Sequence, residues 1–435
     1  MASEYLELVE ALLARVGHRS GNIGIVAHCD TATKHLEDSL PEACHAVHFG
    51  ELSSLAGAEQ LGLDGLIFNK TISHEKVVKE KRLDDFVKIA LKSLKVGGTC
   101  IVREDLSATA EGKDVASLTD FFDVYRHDEN GTHYGFEFYA CQPVVASIAV
   151  KSNYFDLFWT LTKKEFAPVK GDMLTFRDFL DKTQYTNDGI GAYEYIFGAE
   201  FISPGGWDEN LRVLKRFGSL KPGQKMLDIG VGIGGGARQA ASEFGLEVTG
   251  MDLSANMLVI ALERNHKDRD TRVKYMIGDA MQYEFPENHF DVIFSRDCVQ
   301  HIEDIPGLFK RIMKWLKPGG QVLITMYGRG AGEQSEQFKE YVKQRAYFLR
   351  NRDEIRKMAV DAGFADVKVD DMTYRFKEIL QAEKQRLEDE KTDFLRKFSQ
   401  KEYDSLTSGW NNKLGYIAAD NHNWNYFLAT KPLHK

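Results

Sequence analysis

A chain of 435 residues exceeds what one ordinary hydrophobic core serves, so two domains are the default expectation. With 43% hydrophobic residues, 28% charged and 9 prolines, it reads as globular, without a long disordered tract. A net charge of -9 argues against nucleic-acid binding as the main task, although local basic clusters can still hold a phosphate.

The chain opens with MASEYLELVEALLARVGH, apolar at helical spacing with Glu4, Glu7 and Glu10 between. That predicts an amphipathic helix and no secretory leader. No apolar window reaches the roughly 18 residues of a membrane span. The 5 cysteines are scattered and odd in number, which suits a reduced, cytoplasmic protein. His28-Cys29 and Cys44-His45 lack zinc-finger spacing, so no metal is expected. An apolar run, Ile23 to Ala27, leads to Asp30; Gly50-Glu51 follows. Then come Asp64 to His74 (DGLIFNKTISH) and Leu91 to Val102 (LKSLKVGGTCIV).

From Lys225 onward, strands and helices alternate. Lys225 to Ile229 reads as a strand, and the loop Gly230 to Gly236 leads into a helix over Ala237 to Phe244. Glu247 to Met251 is the next strand, closed by Asp252, with a helix over Ala255 to Arg264. Val273 to Ile277 and Phe290 to Phe294 are further strands; the first ends in Gly278-Asp279-Ala280 and the second runs into Ser295 to His301 (SRDCVQH). A helix over Leu308 to Leu316, a Lys317-Pro318-Gly319-Gly320 turn and a strand over Gln321 to Met326 complete the pattern. Such alternation predicts an α/β fold with a parallel sheet covered on both faces. Beyond it, Ala382 to Phe398 reads as a covering helix with a solvated face.

The first half echoes the second. Asp30 is expected to stand as Asp252 does, Gly50-Glu51 as Gly278-Asp279, Asp64 to His74 as Asp291 to His301, and Leu91 to Val102 as Met313 to Ile324. Four landmarks in one order imply an internal duplication. No glycine-rich loop precedes Asp30, so the first copy is expected to bind no nucleotide-like cofactor there.

Gly230, Gly232 and Gly235 satisfy the dinucleotide pattern G-x-G-x-x-G, a weak signal alone. An NAD-dependent dehydrogenase is therefore one alternative, and a non-catalytic scaffold another. Asp228, inside the strand end, suits a ligand with a cationic amino-acid group, and Asp279 suits an adenine amino group. As a set, Lys221 to Met326 resembles the class I S-adenosylmethionine-dependent methyltransferases. The resemblance implies a Rossmann-like, seven-stranded, mostly parallel sheet. It also implies that Asp228, Gly230 and Gly232 lie against the methionine part, that Asp252 and Leu253 meet the ribose, and that Asp279 and Ala280 frame the adenine. S-adenosylhomocysteine would be the product.

Gln184 to Gly198 (QYTNDGIGAYEYIFG), Phe201 to Gly206 (FISPGG) and Glu340 to Tyr347 (EYVKQRAY) crowd aromatic and polar residues together. Tyr341 and Arg345, four apart, share a helix face, a sound phosphate clamp. QYTNDG with Tyr193, SRD-x-x-x-H and EYVKQR-x-Y jointly resemble the phosphoethanolamine methyltransferases, nearest to the two-domain nematode type. The resemblance implies an inactive first domain, 1–165, and an active second domain, 166–435, that methylates phosphomonomethyl- and phosphodimethylethanolamine to phosphocholine. A methyltransferase for another small amine is the alternative. By the resemblance Asp297 accepts the substrate's proton, and Tyr185 and His301 form a hydrogen-bonded latch. Tyr327, Tyr341, Arg345, Tyr347 and Lys413 hold the phosphate, Tyr193 faces the amine, and Gln184, Ile202, Ser203 and Arg296 touch substrate or cofactor. A small-molecule phosphobase is the expected partner of a monomer without nucleic acid or a membrane span. Met326 departs from the polar residue common before the tyrosine at position 327.

Overall fold

The computed structural model describes residues 2–16, 21–57, 61–107, 113–168, 171 and 173–433. They form two compact units, Met1–Leu180 with Leu262–Asp279, and Asp181–Ala261 with Ala280–Lys435. In chain order the strands are β1 (Gly21–Ala27), β2 (Cys44–Phe49), β3 (Leu63–Asn69), β4 (Leu94–Asp105), β5 (Arg126–Glu129), β6 (Thr132–Pro143) and β7 (Asp156–Phe166). They continue as β8 (Lys225–Ile229), β9 (Glu247–Asp252), β10 (Val273–Gly278), β11 (Phe290–Arg296), β12 (Leu316–Arg329), β13 (Ala365–Asp371) and β14 (His422–Thr430).

In the second unit the sheet order is β13-β14-β12-β11-β8-β9. The pairs β9-β8, β8-β11 and β11-β12 are parallel, while β14 is antiparallel to both β12 and β13. β8 (KMLDI) and β11 (FDVIFSR) are nearly continuous buried runs, as strands covered on both faces must be. This is the class I methyltransferase arrangement, with the turns after β8, β9 and β11 at the strands' carboxyl ends. The seventh strand of the pattern, β10, groups with the first unit, where it pairs β6 antiparallel.

Within the first unit β2-β1-β3-β4 is parallel and β7 is antiparallel to both β4 and β6. The helix Ala2–Val16 buries Leu8, Val9 and Leu12 among Ile23, Ile25, Ile67 and Ile101. Truncating one such leucine costs about 2–5 kcal/mol.

Both units thus run four parallel strands into an antiparallel pair, and one backbone detail recurs. Lys70, after β3, and Asp297, after β11, are non-glycine residues with φ of 59° and 52°. The Lys70 N–H donates to Arg103 O on β4 at 2.8 Å, as the Asp297 N–H does to Thr325 O on β12 at 2.9 Å. With these two matched, the pairing registers correct half of the sequence alignment. Ile25 pairs Ile67 as Asp228 pairs Phe294, so β1 is the counterpart of β8 and Ile25 stands where Asp228 does. Val26 pairs Phe49 as Ile229 pairs Met251. Gly50 therefore takes the place of Asp252, and the expected matches of Asp30 with Asp252 and of Gly50-Glu51 with Gly278-Asp279 are overturned. The matches of Asp64 to His74 and of Leu91 to Val102 agree with the register.

Candidate functional site

The loop after β8 supplies the first wall. Gly230, Gly232 and Gly234 all have positive φ, which a side chain disfavours. A Cβ on Gly230 would strike the Cys298 side chain, and one on Gly235 the Glu200 carbonyl. Asp252 Oδ2 accepts the Gly232 N–H at 2.8 Å and Oδ1 the Ser254 N–H at 2.9 Å. Burial raises the Asp252 carboxyl to about 6 and the Asp228 carboxyl to about 8, with Asp252 adding to the latter and Arg296 opposing. Two buried carboxyls so unfavourable to ionise fit a ligand bearing positive charge, as a sulfonium amino acid does. Leu253 donates its N–H to Asp252. Ala280 is buried, and its carbonyl accepts Arg311 Nε–H at 2.8 Å. Asp279 follows the end of β10, among the first unit's residues.

Asp297 is the pivot of the second wall. Its side chain is 4% exposed. Oδ1 accepts Trp424 Nε1–H at 2.7 Å and Thr325 Oγ1–H at 3.0 Å. Oδ2 is buried and accepts nothing; the nearest cation is Arg296 Nε at 4.0 Å. Burial raises the Asp297 pKa, opposed by Arg296, by the bonds from Trp424 and Thr325, and by Lys413. Arg296 itself donates to Pro204 O, and to Gly206 O and Asn210 Oδ1 at 3.2 Å each. It therefore braces the Ser203–Gly206 turn and spreads its charge over Asp228 and Asp297.

An aromatic and basic cage completes the site. The helix Glu336–Gln344 carries Tyr341, and Arg345 caps its end. Burial opposes the Arg345 charge, yet Tyr193, Tyr347 and Tyr341 hold it firmly protonated. Tyr193, expected at the amine, lends its hydroxyl oxygen to Arg345 and stacks its ring on Phe197, centroids 5.9 Å apart. Tyr327 lies 5.9 Å from Tyr347, and Tyr347 6.1 Å from Tyr341, centroid to centroid. The Lys413 ammonium stands 5.6 Å from the Tyr327 ring and 5.2 Å from Trp410. His301 meets Tyr347 edge to face at 4.9 Å, and burial lowers its pKa to about 4, so it is neutral at physiological pH. Tyr185 packs on the cluster of Ile190, Ile233 and Met257 beside Ile202, which overlies Gly232. Gln184 Nε2–H donates to Arg345 O at 3.1 Å. Ser203 closes the turn by accepting the Gly206 N–H at 3.2 Å.

Sequence reasoning missed several partners. Trp424 and Thr325 reach Asp297 from 127 and 28 residues away, and no local spacing announces such contacts. Asp181 caps the helix after Asp252 through Ser254 Oγ–H and the Ala255 N–H, and Asn256 Nδ2–H donates to Tyr185 O at 3.0 Å. These bonds dock the QYT segment on the Asp252 turn. A serine and an asparagine opening a helix were the available signal.

The matching place in the first unit is filled by its own side chains. Ile25 offers no carboxylate, and only His28 and Cys29 separate β1 from the helix Asp30–Asp38. His28 stacks on His74 at 3.9 Å, and its Nε2 lies 3.2 Å from Glu75 Oε1. Lys70 turns to Asp105 at 3.5 Å.

Residues 2–167 match the family model described as phosphoethanolamine N-methyltransferase 2 N-terminal, and 227–324 match a methyltransferase domain. The phosphoethanolamine N-methyltransferase 2 of Caenorhabditis elegans is 57% identical over 86% of this chain and 85% of its own. Phosphoethanolamine N-methyltransferase 1 of Arabidopsis thaliana is 37% identical over 78% and 70%. A solved structure of the Haemonchus contortus phosphoethanolamine N-methyltransferase 2, in complex with phosphomonomethylethanolamine and S-adenosylhomocysteine, superposes with a TM-score of 0.95. It has 52% identity and covers 99% of this chain and 100% of that one.

Proposed function

We propose that this chain, which belongs to the phosphoethanolamine N-methyltransferase family, transfers methyl groups from S-adenosylmethionine to the nitrogen of phosphomonomethyl- and phosphodimethylethanolamine, ending in phosphocholine. The observation that carries this reading is the Asp297 carboxylate. One oxygen is saturated by Trp424 and Thr325, and the other is buried and bare, beside a cage of tyrosines, Arg345 and Lys413.

S-adenosylmethionine supplies a sulfonium methyl that needs no further activation. Asp228 would hold its amino-acid end, Gly230 and Gly232 allow its close approach, Asp252 and Leu253 would meet the ribose, and Asp279 and Ala280 the adenine. The substrate arrives as an alkylammonium without a lone pair, its pKa about 10. Asp297 Oδ2 would take its proton, and the freed nitrogen would take the methyl group as the methyl–sulfur bond breaks and S-adenosylhomocysteine leaves. Burial raises the basicity of Asp297 toward this task. The carboxylate remains much the weaker base, so alignment does much of the work. Tyr327, Tyr341, Tyr347, Arg345 and Lys413 fix the phosphate by charge-assisted bonds. Tyr193 steadies Arg345, and Gln184, Ile202 and Ser203 shape the wall between the two ligands. A direct Tyr185–His301 bond is proposed for the closed complex, His301 being neutral and adjacent to Tyr347.

By this reading 166–435 carries the reaction and 1–165 none. The protein is inferred to be a cytoplasmic monomer; its five cysteines form no disulfide, and among the described residues no helix is long and apolar enough to cross a membrane. A methyl-transfer assay with phosphoethanolamine and its mono- and dimethyl forms at matched concentration tests the assignment. Turnover of the two methylated bases is expected, and transfer to none of the three would refute it.

A further inference from the structure

One buried ionisable group has no part in the reaction as written: Glu383, on the helix Thr373–Asp389, 7% exposed. Its Oε1 accepts the Gly205 N–H at 2.7 Å, and Oε2 accepts Trp410 Nε1–H at 3.2 Å. One turn earlier Ile379 packs on the same glycine, where a Cβ would lie 3.1 Å from Ile379 Cδ1. Two parts of the site therefore meet at one carboxylate. The first is the turn that follows Ile202 and Ser203. The second is the helix Gln400–Ala418, which carries Trp410 and, one turn on, Lys413.

Lys413 is buried, and burial lowers its ammonium to about 8. Arg345, beyond the helix Glu336–Gln344, pushes the same way, while Glu383 and Asp297, after β11, oppose. His422 on β14 faces it too, but burial holds that imidazole neutral, at about 3. Glu383 in turn faces Lys413 and, on its own helix, Arg386, and its charge reaches Arg296 on β11. Of the two carboxylates near Lys413, Asp297 is engaged with the substrate's proton and Glu383 is not.

We propose that Glu383 is a positioning residue of the phosphobase site: it docks the Lys413-bearing helix on the Gly205 turn and supplies the counter-charge that keeps the Lys413 ammonium ready for phosphate. The inference rests on the reading that Lys413 meets that phosphate. Burial raises the Glu383 carboxyl to about 7, so near neutrality the counter-charge is itself partly developed.

The charged lysine binds phosphate, so phosphobase affinity falls as pH rises through about 8. Without the Glu383 charge that fall begins about one pH unit lower. Glu383→Gln keeps an acceptor for Gly205 and removes the charge. Its KM for phosphobase is expected to match wild type near pH 6.5 and to exceed it about fivefold at pH 8. The KM for S-adenosylmethionine and kcat stay unchanged. Glu383→Asp, charged but shorter, restores the midpoint. A Glu383→Gln profile parallel to wild type, whatever its thermal stability, overturns the proposal. Should that variant not fold, Trp410→Phe withdraws one donor from the carboxylate and is expected to move the midpoint the same way by less; an unmoved midpoint also overturns it. Lys413→Met separates the two layers. An unchanged phosphobase KM in Lys413→Met removes the phosphate role of Lys413 and the inference with it. A raised KM there, beside a parallel Glu383→Gln profile, removes the inference alone.

Discussion

Asp297 and Lys70 share a backbone and differ in charge. Each sits at positive φ after a buried strand, held by an N–H donated to the next strand. For Asp297 one buried carboxylate oxygen is left without a hydrogen-bond partner; Lys70 instead forms an ordinary ion pair with Asp105. Burial of Asp297 has a stability consequence. An acid whose folded pKa is raised binds its proton more tightly folded than unfolded, so its ionisation at higher pH costs stability. Asn at 297 keeps an Oδ1 for Trp424 and Thr325 and tolerates positive φ. Asp297→Asn is therefore expected to be more stable than wild type at pH 8. The difference should shrink as pH falls through the raised pKa and vanish below the ordinary carboxylate range, and thermal melts across pH check it. Asp297 was legible in SRDCVQH because an acid and an imidazole follow a buried strand. Trp424 was not, because antiparallel pairing of β12 with β14 brings it there from 127 residues away.

At the scale of elements, local periodicity served well wherever strands are buried runs, as in β8 and β11. It failed at the alignment of the two copies, because an Asp closing an apolar run looks alike after β1 or after β2. Only parallel register separates them, and register is a property of pairs. The corrected register explains why the first copy lacks the cofactor loop: Ile25 replaces Asp228, and three residues, Ala27 to Cys29, replace the Gly230 to Gly234 stretch. The glycines at 230 and 235 leave no room for a Cβ. Gly235→Ala would press its Cβ on the Glu200 carbonyl, a backbone atom that cannot swing aside. A loss of about 2 kcal/mol or more is expected, with weaker S-adenosylmethionine binding, read by melting with and without the cofactor.

Across the whole molecule, the sequence suggests a cut between 165 and 166, whereas the compact units divide at Leu180 and return Leu262–Asp279 to the first. That interruption leaves no trace in composition, because β10 reads as one more strand of the second copy while its partner β6 lies far back in the chain. The two copies also make a quantitative prediction. With His28 stacked on His74 and no carboxylate at position 25, the first unit should take no S-adenosylmethionine. Calorimetric titration is expected to give one cofactor per chain, and a second equivalent would mean that the first unit retains a site.

The central claim is that the bare oxygen of Asp297 accepts the ammonium proton. Single-turnover methyl transfer to phosphomonomethylethanolamine by Asp297→Asn, with phosphobase affinity measured alongside, tests it most directly. The account predicts a rate lower by about 10²–10⁴-fold, with affinity within a few-fold of wild type. An undiminished rate would contradict it.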